Sequence, residues 1–194
     1  FANATLTYSR YKFDTRAASA DKEYLNGNLT RESSYSLHYF SGIDDVAAKL
    51  DFDFVPNPQH LIKFGTNAIV HTFYPGRFET EIRESDDNTN IKATIGQPNV
   101  SATEMALYAE DDWKITDRFR VNYGLHLSGF LLKDNHYFSL QPRLNARYML
   151  DRGWALKGAF STMRQYIHLL TNESIGLPTD LWLPTTGIVK PQDS

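Results

Sequence analysis

Catalysis near neutral pH needs a nucleophile or a tuned acid–base pair held in register, so the 194-residue chain is read first for one. It has no cysteine, which removes disulfides, thiolate metal sites and cysteine nucleophiles. Of its six histidines, His60, His71, His126, His136 and His168 are dispersed, with no i, i+2 or i, i+4 pair to chelate a metal. Asp86-x-Asn88-x-Asn90 imitates the start of a calcium loop, but Ile91 stands where the turn glycine belongs and Gln97 where the bidentate glutamate belongs. Asp111 and Asp112 are neighbours in an alternating segment, so they point to opposite faces and cannot work as an acid–base pair. No Ser-His-Asp arrangement or phosphate-cradling glycine loop is recognisable, and the Lys and Arg are too scattered for nucleic acid. The sequence therefore predicts no enzyme, no metal and no cofactor. The charges that stand out are Lys49, Asp51, Asp53, Lys63, Glu110, Asp112, Arg143, Arg147 and Lys157. Each lies within or beside an alternating segment.

That alternation dominates the chain. Lys49, Asp51 and Asp53 interleave with Leu50, Phe52 and Phe54, and Val121, Tyr123, Leu125 and Leu127 with Asn122, Gly124, His126 and Ser128. A period of two marks strands with one wet and one apolar face, and no comparably long segment carries a 3.6-residue stripe. No apolar run approaches the ~20 residues of a spanning helix, and residues 1–10 do not form a signal peptide. Tight turns at 56–59, 116–118 and 151–153 alternate with longer connections at 15–33, 75–102 and 133–136 and a tail from Ile167. Seven strands are predicted, over 3–14, 34–55, 60–74, 103–115, 119–131, 138–150 and 154–166. The apolar positions of 34–55 switch from odd (Tyr35, Leu37, Tyr39) to even (Ala48, Leu50, Phe52), which predicts a bulge near Gly42. Short turns at one end and long loops at the other are the habit of outer-membrane barrels. Aromatics gather at both strand ends. Phe54, Trp113, Phe119, Tyr148 and Trp154 sit beside the tight turns and read as membrane-interface anchors. Tyr11, Phe13, Tyr39, Phe73, Tyr74, Phe130, Tyr137, Phe138 and Tyr166 lie toward the loops as a second girdle. The alternative is a soluble β-barrel or β-sandwich that binds a small ligand or glycan, with its aromatics in the core. An odd number of up-and-down strands cannot close an antiparallel barrel, and 190–194 is loop-like. A piece of a larger wall is expected.

The run Leu107-Tyr-Ala-Glu-Asp-Asp-Trp-Lys-Ile-Thr-Asp-Arg-Phe-Arg-Val-Asn-Tyr-Gly-Leu resembles the barrel of TonB-dependent outer-membrane receptors, where a Y-A/Q-x-D-x-W strand, a tight turn and an N-Y-G-L-R strand follow one another. Here His126 replaces the usual arginine. Leu140-Gln-Pro-Arg-Leu-Asn-Ala-Arg-Tyr148, Leu156-Lys-Gly-Ala-Phe-Ser161 and the stretch from Asp51 to Gly65 are similar to further strands of that family. Leu177-Pro-Thr-Asp-Leu-Trp-Leu-Pro-Thr185 is similar to an external loop of receptors from Bacteroidetes. The resemblance implies an all-β, antiparallel up-and-down meander of about seven strands, part of a 22-stranded transmembrane β-barrel in the bacterial outer membrane. Residues 1–194 are expected to be one partial barrel domain without plug, TonB box or C-terminal strand. The implied activity is import of a scarce nutrient such as an iron chelate, cobalamin or glycan. The implied partners are the TonB complex through the missing N-terminal part, outer-membrane lipid, the nutrient ligand and a surface lipoprotein lid. The nine charges named above then face the lumen, where they contact plug or solute, or else pair across strands as scaffolding. Asn172, Glu173, Asp180 and Trp182 are the external-loop ligand candidates, a polar-aromatic mix suited to sugars or chelates that also serves solubility alone.

Overall fold

A computed structural model describes residues 1–85, 89–133, 135–172 and 179–194. The strands are β1 (Ala2–Leu25), β2 (Asn28–Asn57), β3 (His60–Glu84), β4 (Thr89–Gly96), β5 (Val100–Lys114), β6 (Phe119–Leu132), β7 (Asn135–Met149) and β8 (Ala155–Ser161). They form one sheet in the order β1-β2-β3-β5-β6-β7-β8, with β4 added beside the far half of β3. Every pairing is antiparallel and between neighbours along the chain, apart from β5, which skips β4 to join β3. The sheet is a meander curled as a half-barrel. After it come β9 (Arg164–Gln165), β10 (Ile167–Asn172), β11 (Thr179–Pro184) and β12 (Gln192–Asp193), paired as β10-β11 and β12-β9.

Residues opposite one another across a ladder share a face, so register sorts the side chains. One face carries rows such as Phe52, Phe64, Ala109 and Leu125, and Leu50, Thr66, Leu107, Leu127 and Leu140. The other carries Asp53, Lys63, Glu110, Gly124 and Arg143. The first face is bare. Leu50, Phe64, Leu125 and Leu144 keep between 42% and 52% of their surface exposed, although each is a strand residue in an extended ladder. A contiguous apolar surface of this kind marks an interaction face rather than a core.

The structure lengthens the predicted strands at the loop end. Residues 15–33, expected to be a loop, continue β1 and β2 around a two-residue turn. There Asn26 and Gly27 both have positive φ, at 52° and 80°, the backbone of a type I′ hairpin. Residues 75–102 are likewise no simple loop, because β3 runs on to Glu84 and β4 returns beside it. The strand expected over 154–166 ends at Ser161, and the tail holds the β10-β11 hairpin. The bulge expected near Gly42 is present in the β2–β3 ladder, between Phe40 and Gly42, but its extra residue belongs to the neighbouring strand. β2 pairs with β1 through Gly42 without a shift, and the irregularity lies in β3, where Tyr74 to Arg77 oppose Gly42 to Phe40.

The parity switch in β2 is therefore a real exchange of faces. Even positions are apolar up to Val46, and the next even row is Arg10, Asp44 and Thr72. Arg10 clasps Asp44 through Nε and Nη2, at 2.7 and 2.6 Å, and the Tyr74 hydroxyl donates to the same carboxylate. Past that row the apolar residues lie on the other face. Ile43, Phe73, Ala102, Phe130, Leu132 and the tail residue Tyr166 form the buried cluster there. This corrects the second girdle: Tyr11, Phe13, Tyr39, Phe73, Phe130 and Tyr137 share the polar face, and only Tyr74 and Phe138 join the apolar one.

The far halves of β1, β2 and β3 with β4 make a projecting blade dressed in exposed ion pairs, each worth little by itself. On it His38 Nε2 lies 2.9 Å from Asp14 Oδ2 and Nδ1 lies 3.5 Å from Glu79 Oε2. The hydrogen bond from His38 holds the Asp14 carboxyl below its ordinary range. Such a group stabilises the fold above its unfolded pKa and loses that contribution as pH falls through its folded one. Amide protection factors across 13–18 and 34–40, taken against the intrinsic exchange rate at each pH, should fall on acidification below about pH 4, and Asp14→Asn should remove that acid-dependent component. Identical pH profiles for the variant and the parent would contradict it.

Candidate functional site

All nine predicted charges fall on one face by register. The structure joins some of them and not others. Lys49 Nζ sits 3.0 Å from Asp51 Oδ2, and the Tyr108 hydroxyl donates a short hydrogen bond to Asp51 Oδ1. Tyr108 reaches across Gly65, where an added Cβ would meet its ring at 2.8 Å and the Leu50 carbonyl at 2.3 Å. The glycine is what lets the ring lie flat over the neighbouring strand. Glu110 meets Arg143 at 3.8 Å, and Asp112 meets Arg120 at 3.1 Å. Asp53 is opposite Lys63, and Lys157 is opposite Arg147, whose guanidinium reaches Met149 Sδ. Arg120, Arg147 and Lys157 form a row of like charge, so cross-strand pairing accounts for only part of this face.

Four of the predicted anchors lie on the apolar face at the tight-turn end. Trp113 stacks on His60 at 5.3 Å, and Phe119 meets Tyr148 edge-on at 6.2 Å. Phe54 is exposed one row away, and Trp154 stands exposed just after the 151–153 turn.

The external-loop candidates separate. Glu173 lies outside the described residues, as do Asp86 and Asn88 of the calcium-loop imitation. Asn172 ends β10 opposite Thr179. Asp180 and Trp182 instead turn inward onto the polar face. The Asp180 carboxylate accepts from Tyr11 at 2.8 Å, and its backbone carbonyl accepts from Tyr39 at 3.0 Å and from Ser41. Trp182 packs edge-on to Tyr11 at 5.7 Å. Tyr166 stacks on Phe130 at 5.2 Å and shares a 2.8 Å hydrogen bond with Ser128, itself bonded by Gln141. Between tail and sheet lies a cavity of about 710 Å³ lined by Tyr11, Asp45, Glu104, Arg164, Tyr166 and Trp182 among others, within the size range of small-molecule sites.

Sequence reasoning did not find Tyr11, Asp45 and Glu104 for this site, nor the histidine behind them. His71 is buried with Nδ1 2.7 Å from Asp45 Oδ1 and Nε2 3.7 Å from Glu104 Oε2. The three come from β2, β3 and β5, so no local spacing announces them; the only signal was polar residues persisting where apolar ones were taking over the face. Among the described residues no group of three or more His, Asp or Glu is placed to hold a metal ion.

A family model described as TonB dependent receptor-like, beta-barrel, matches residues 1–172. The iron-regulated outer membrane virulence proteins of two Vibrio cholerae O1 strains, classical O395 and El Tor N16961, are each 29% identical over 138 residues, covering 71% of this chain. The matched stretch is only 17% of the length of those relatives. No solved structure matches.

Tyr166 is the residue whose removal should undock the tail. Tyr166→Ala should cost about 3–5 kcal/mol at that contact. Hydrogen exchange and protease nicking should rise in 164–172 and 179–194 while β5 to β7 keep their protection. Unchanged protection of the tail would refute this docking mode.

Proposed function

Because the chain belongs to the TonB-dependent receptor-like β-barrel family, we propose that it supplies barrel wall and an inward-folded external loop to an outer-membrane transporter that imports a scarce nutrient. Its location is the bacterial outer membrane. The observation that carries the transport reading is the pair of unlike faces on one meander. The bare apolar face, edged by Trp113, Phe119 and Tyr148, has the chemistry of a surface that meets hydrocarbon. The face with Lys63, Glu110 and Arg143 has the chemistry of a water-filled or plugged lumen. In this reading the tight turns are periplasmic, the blade projects outward, and about a third of a 22-stranded wall is present.

The lumen charges then contact plug or hydrate the solute path, and the tail cavity is where cargo first rests. An iron chelate is the cargo best supported among iron chelates, cobalamin and glycans, since the curated relatives are named as iron-regulated outer membrane proteins. Energy reaches the barrel from the TonB complex through a part of the protein outside this chain, and a surface lipoprotein lid is a further partner of the mouth.

The test is uptake of ferric chelates by iron-starved cells carrying the full-length protein. Deleting 167–184 should leave the barrel inserted and lower uptake by about tenfold or more, the equivalent of losing 1.4 kcal/mol or more of binding. Loss of TonB should abolish uptake. Uptake indifferent to TonB would overturn the transport reading, whereas intact TonB-dependent uptake of a different nutrient would overturn only the choice of iron.

A further inference from the structure

Within the apolar band below the Arg10–Asp44 row, one carboxylate among the described residues has no part in the lumen reading. Asp111 lies in the row Phe54, Ile62, Asp111, Tyr123, Leu144 and Phe160. It is 7% exposed. His60 Nδ1 is 2.7 Å from Oδ2, and the Tyr123 hydroxyl donates to the same oxygen at 3.1 Å. The second oxygen, Oδ1, is buried and takes no hydrogen bond. An orphaned carboxylate oxygen on a hydrocarbon-facing surface is costly unless a donor from outside completes it.

The surroundings indicate where that donor comes from. Asp111 lines a hollow of about 470 Å³ with Ile62, Ala109, Tyr123, Leu125 and Leu144. Ala109 and Leu125 also line a second, almost wholly apolar hollow of about 510 Å³, which continues past Phe64 and Leu107 to Leu127 and Leu140. The two make one groove, opened where the small Ala109 stands between Phe64 and Leu125 in its row. From Asp111 to Leu107 the strand advances four residues, roughly 13 Å. The polar end lies next to the Trp113 and His60 stack at the tight-turn girdle, and the apolar end runs toward the middle of the band. A phospholipid lies in this direction: headgroup at the girdle, acyl chain toward the bilayer centre.

We propose that this groove is a selective site for a phospholipid with a primary ammonium headgroup, which enters between the side chains that cover Asp111 Oδ1 and donates an N–H to it while one acyl chain fills the channel over Ala109. The proposal rests on the outer-membrane reading of the apolar face. The cation supplies both missing elements, a donor for Oδ1 and a counter-charge. An anionic headgroup would bring a like charge to the same oxygen.

The full-length protein, folded into nanodiscs of mixed phosphatidylethanolamine and phosphatidylglycerol with matched acyl chains, should retain one phosphatidylethanolamine in native mass spectrometry. The preference should be about tenfold, the size expected of one charge-assisted hydrogen bond. Asp111→Asn should bring the two lipids to near parity. Ala109→Leu, which leaves the carboxylate intact and blocks the groove, should reduce retention of both lipids and serves if Asp111→Asn fails to fold. Equal retention of the two lipids by the inserted parent would overturn the proposal, as would undiminished preference in Asp111→Asn or retention unchanged by Ala109→Leu. A parent that stays out of the bilayer altogether would instead overturn the membrane reading on which the site rests.

Discussion

A strand that meets hydrocarbon has no water to satisfy its peptide groups, so each N–H and C=O on a lipid-bathed sheet must be paired by a neighbouring strand. That constraint explains the long ladders from β1 to β8, whose register shifts in the β1–β2 and β2–β3 ladders fall toward the strand ends or beyond Tyr74, outside the apolar band. Once the ladder is fixed, side chains have no freedom of face. A shift of one residue anywhere would move Lys63, Glu110 and Arg143 to the side now held by Phe64, Ala109 and Leu125. Register is therefore enforced by both surfaces at once.

The same constraint locates the edge of the apolar band. Going up β2, Phe52, Leu50, Ala48 and Val46 give way to Asp44, which is held by Arg10 and Tyr74. Beyond it Tyr39, Ile43 and Phe73 take the opposite face and pack with the tail. A bidentate ion pair between adjacent strands is tolerable in water or headgroups and expensive in acyl chains. The Arg10–Asp44 row thus marks the point at which the chain changes solvent, and the apolar residues change sides because the dry neighbour is now the folded tail.

The alternation legible in the sequence was enough for the sheet between the tight turns and the Arg10–Asp44 row, where one face is apolar and the other polar. It was not enough above it. Residues 15–33 carry little alternation, although Asn26-Gly27 is a hairpin dipeptide; Phe78, Thr80 and Ile82, then Ile91, Ala93 and Ile95, do alternate with polar residues, but in two runs too short to stand out beside the long strands of the wall. The switch in β2 was visible as parity but was assigned to a bulge, because sequence alone cannot distinguish a slipped strand from a changed environment. Asp111 shows the converse limit. Its sequence motif was noticed for its likeness to a family, yet nothing local said that His60, 51 residues away, and Tyr123 would converge on the same oxygen.

The tail was the least legible element, and its mode of attachment explains why. Two of its three hydrogen bonds at Asp180 are accepted by the backbone carbonyl, from Tyr39 and Ser41, and a carbonyl acceptor requires no particular side chain. The sheet provides the donors and the stacking surfaces; the tail contributes mainly a path. Tyr166 is tied by its identity through Phe130 and Ser128, and Asp180 and Trp182 through Tyr11. Docking is thereby shared between main-chain acceptors that any residue supplies and a few side chains that Tyr11, Ser128 and Phe130 of the sheet select.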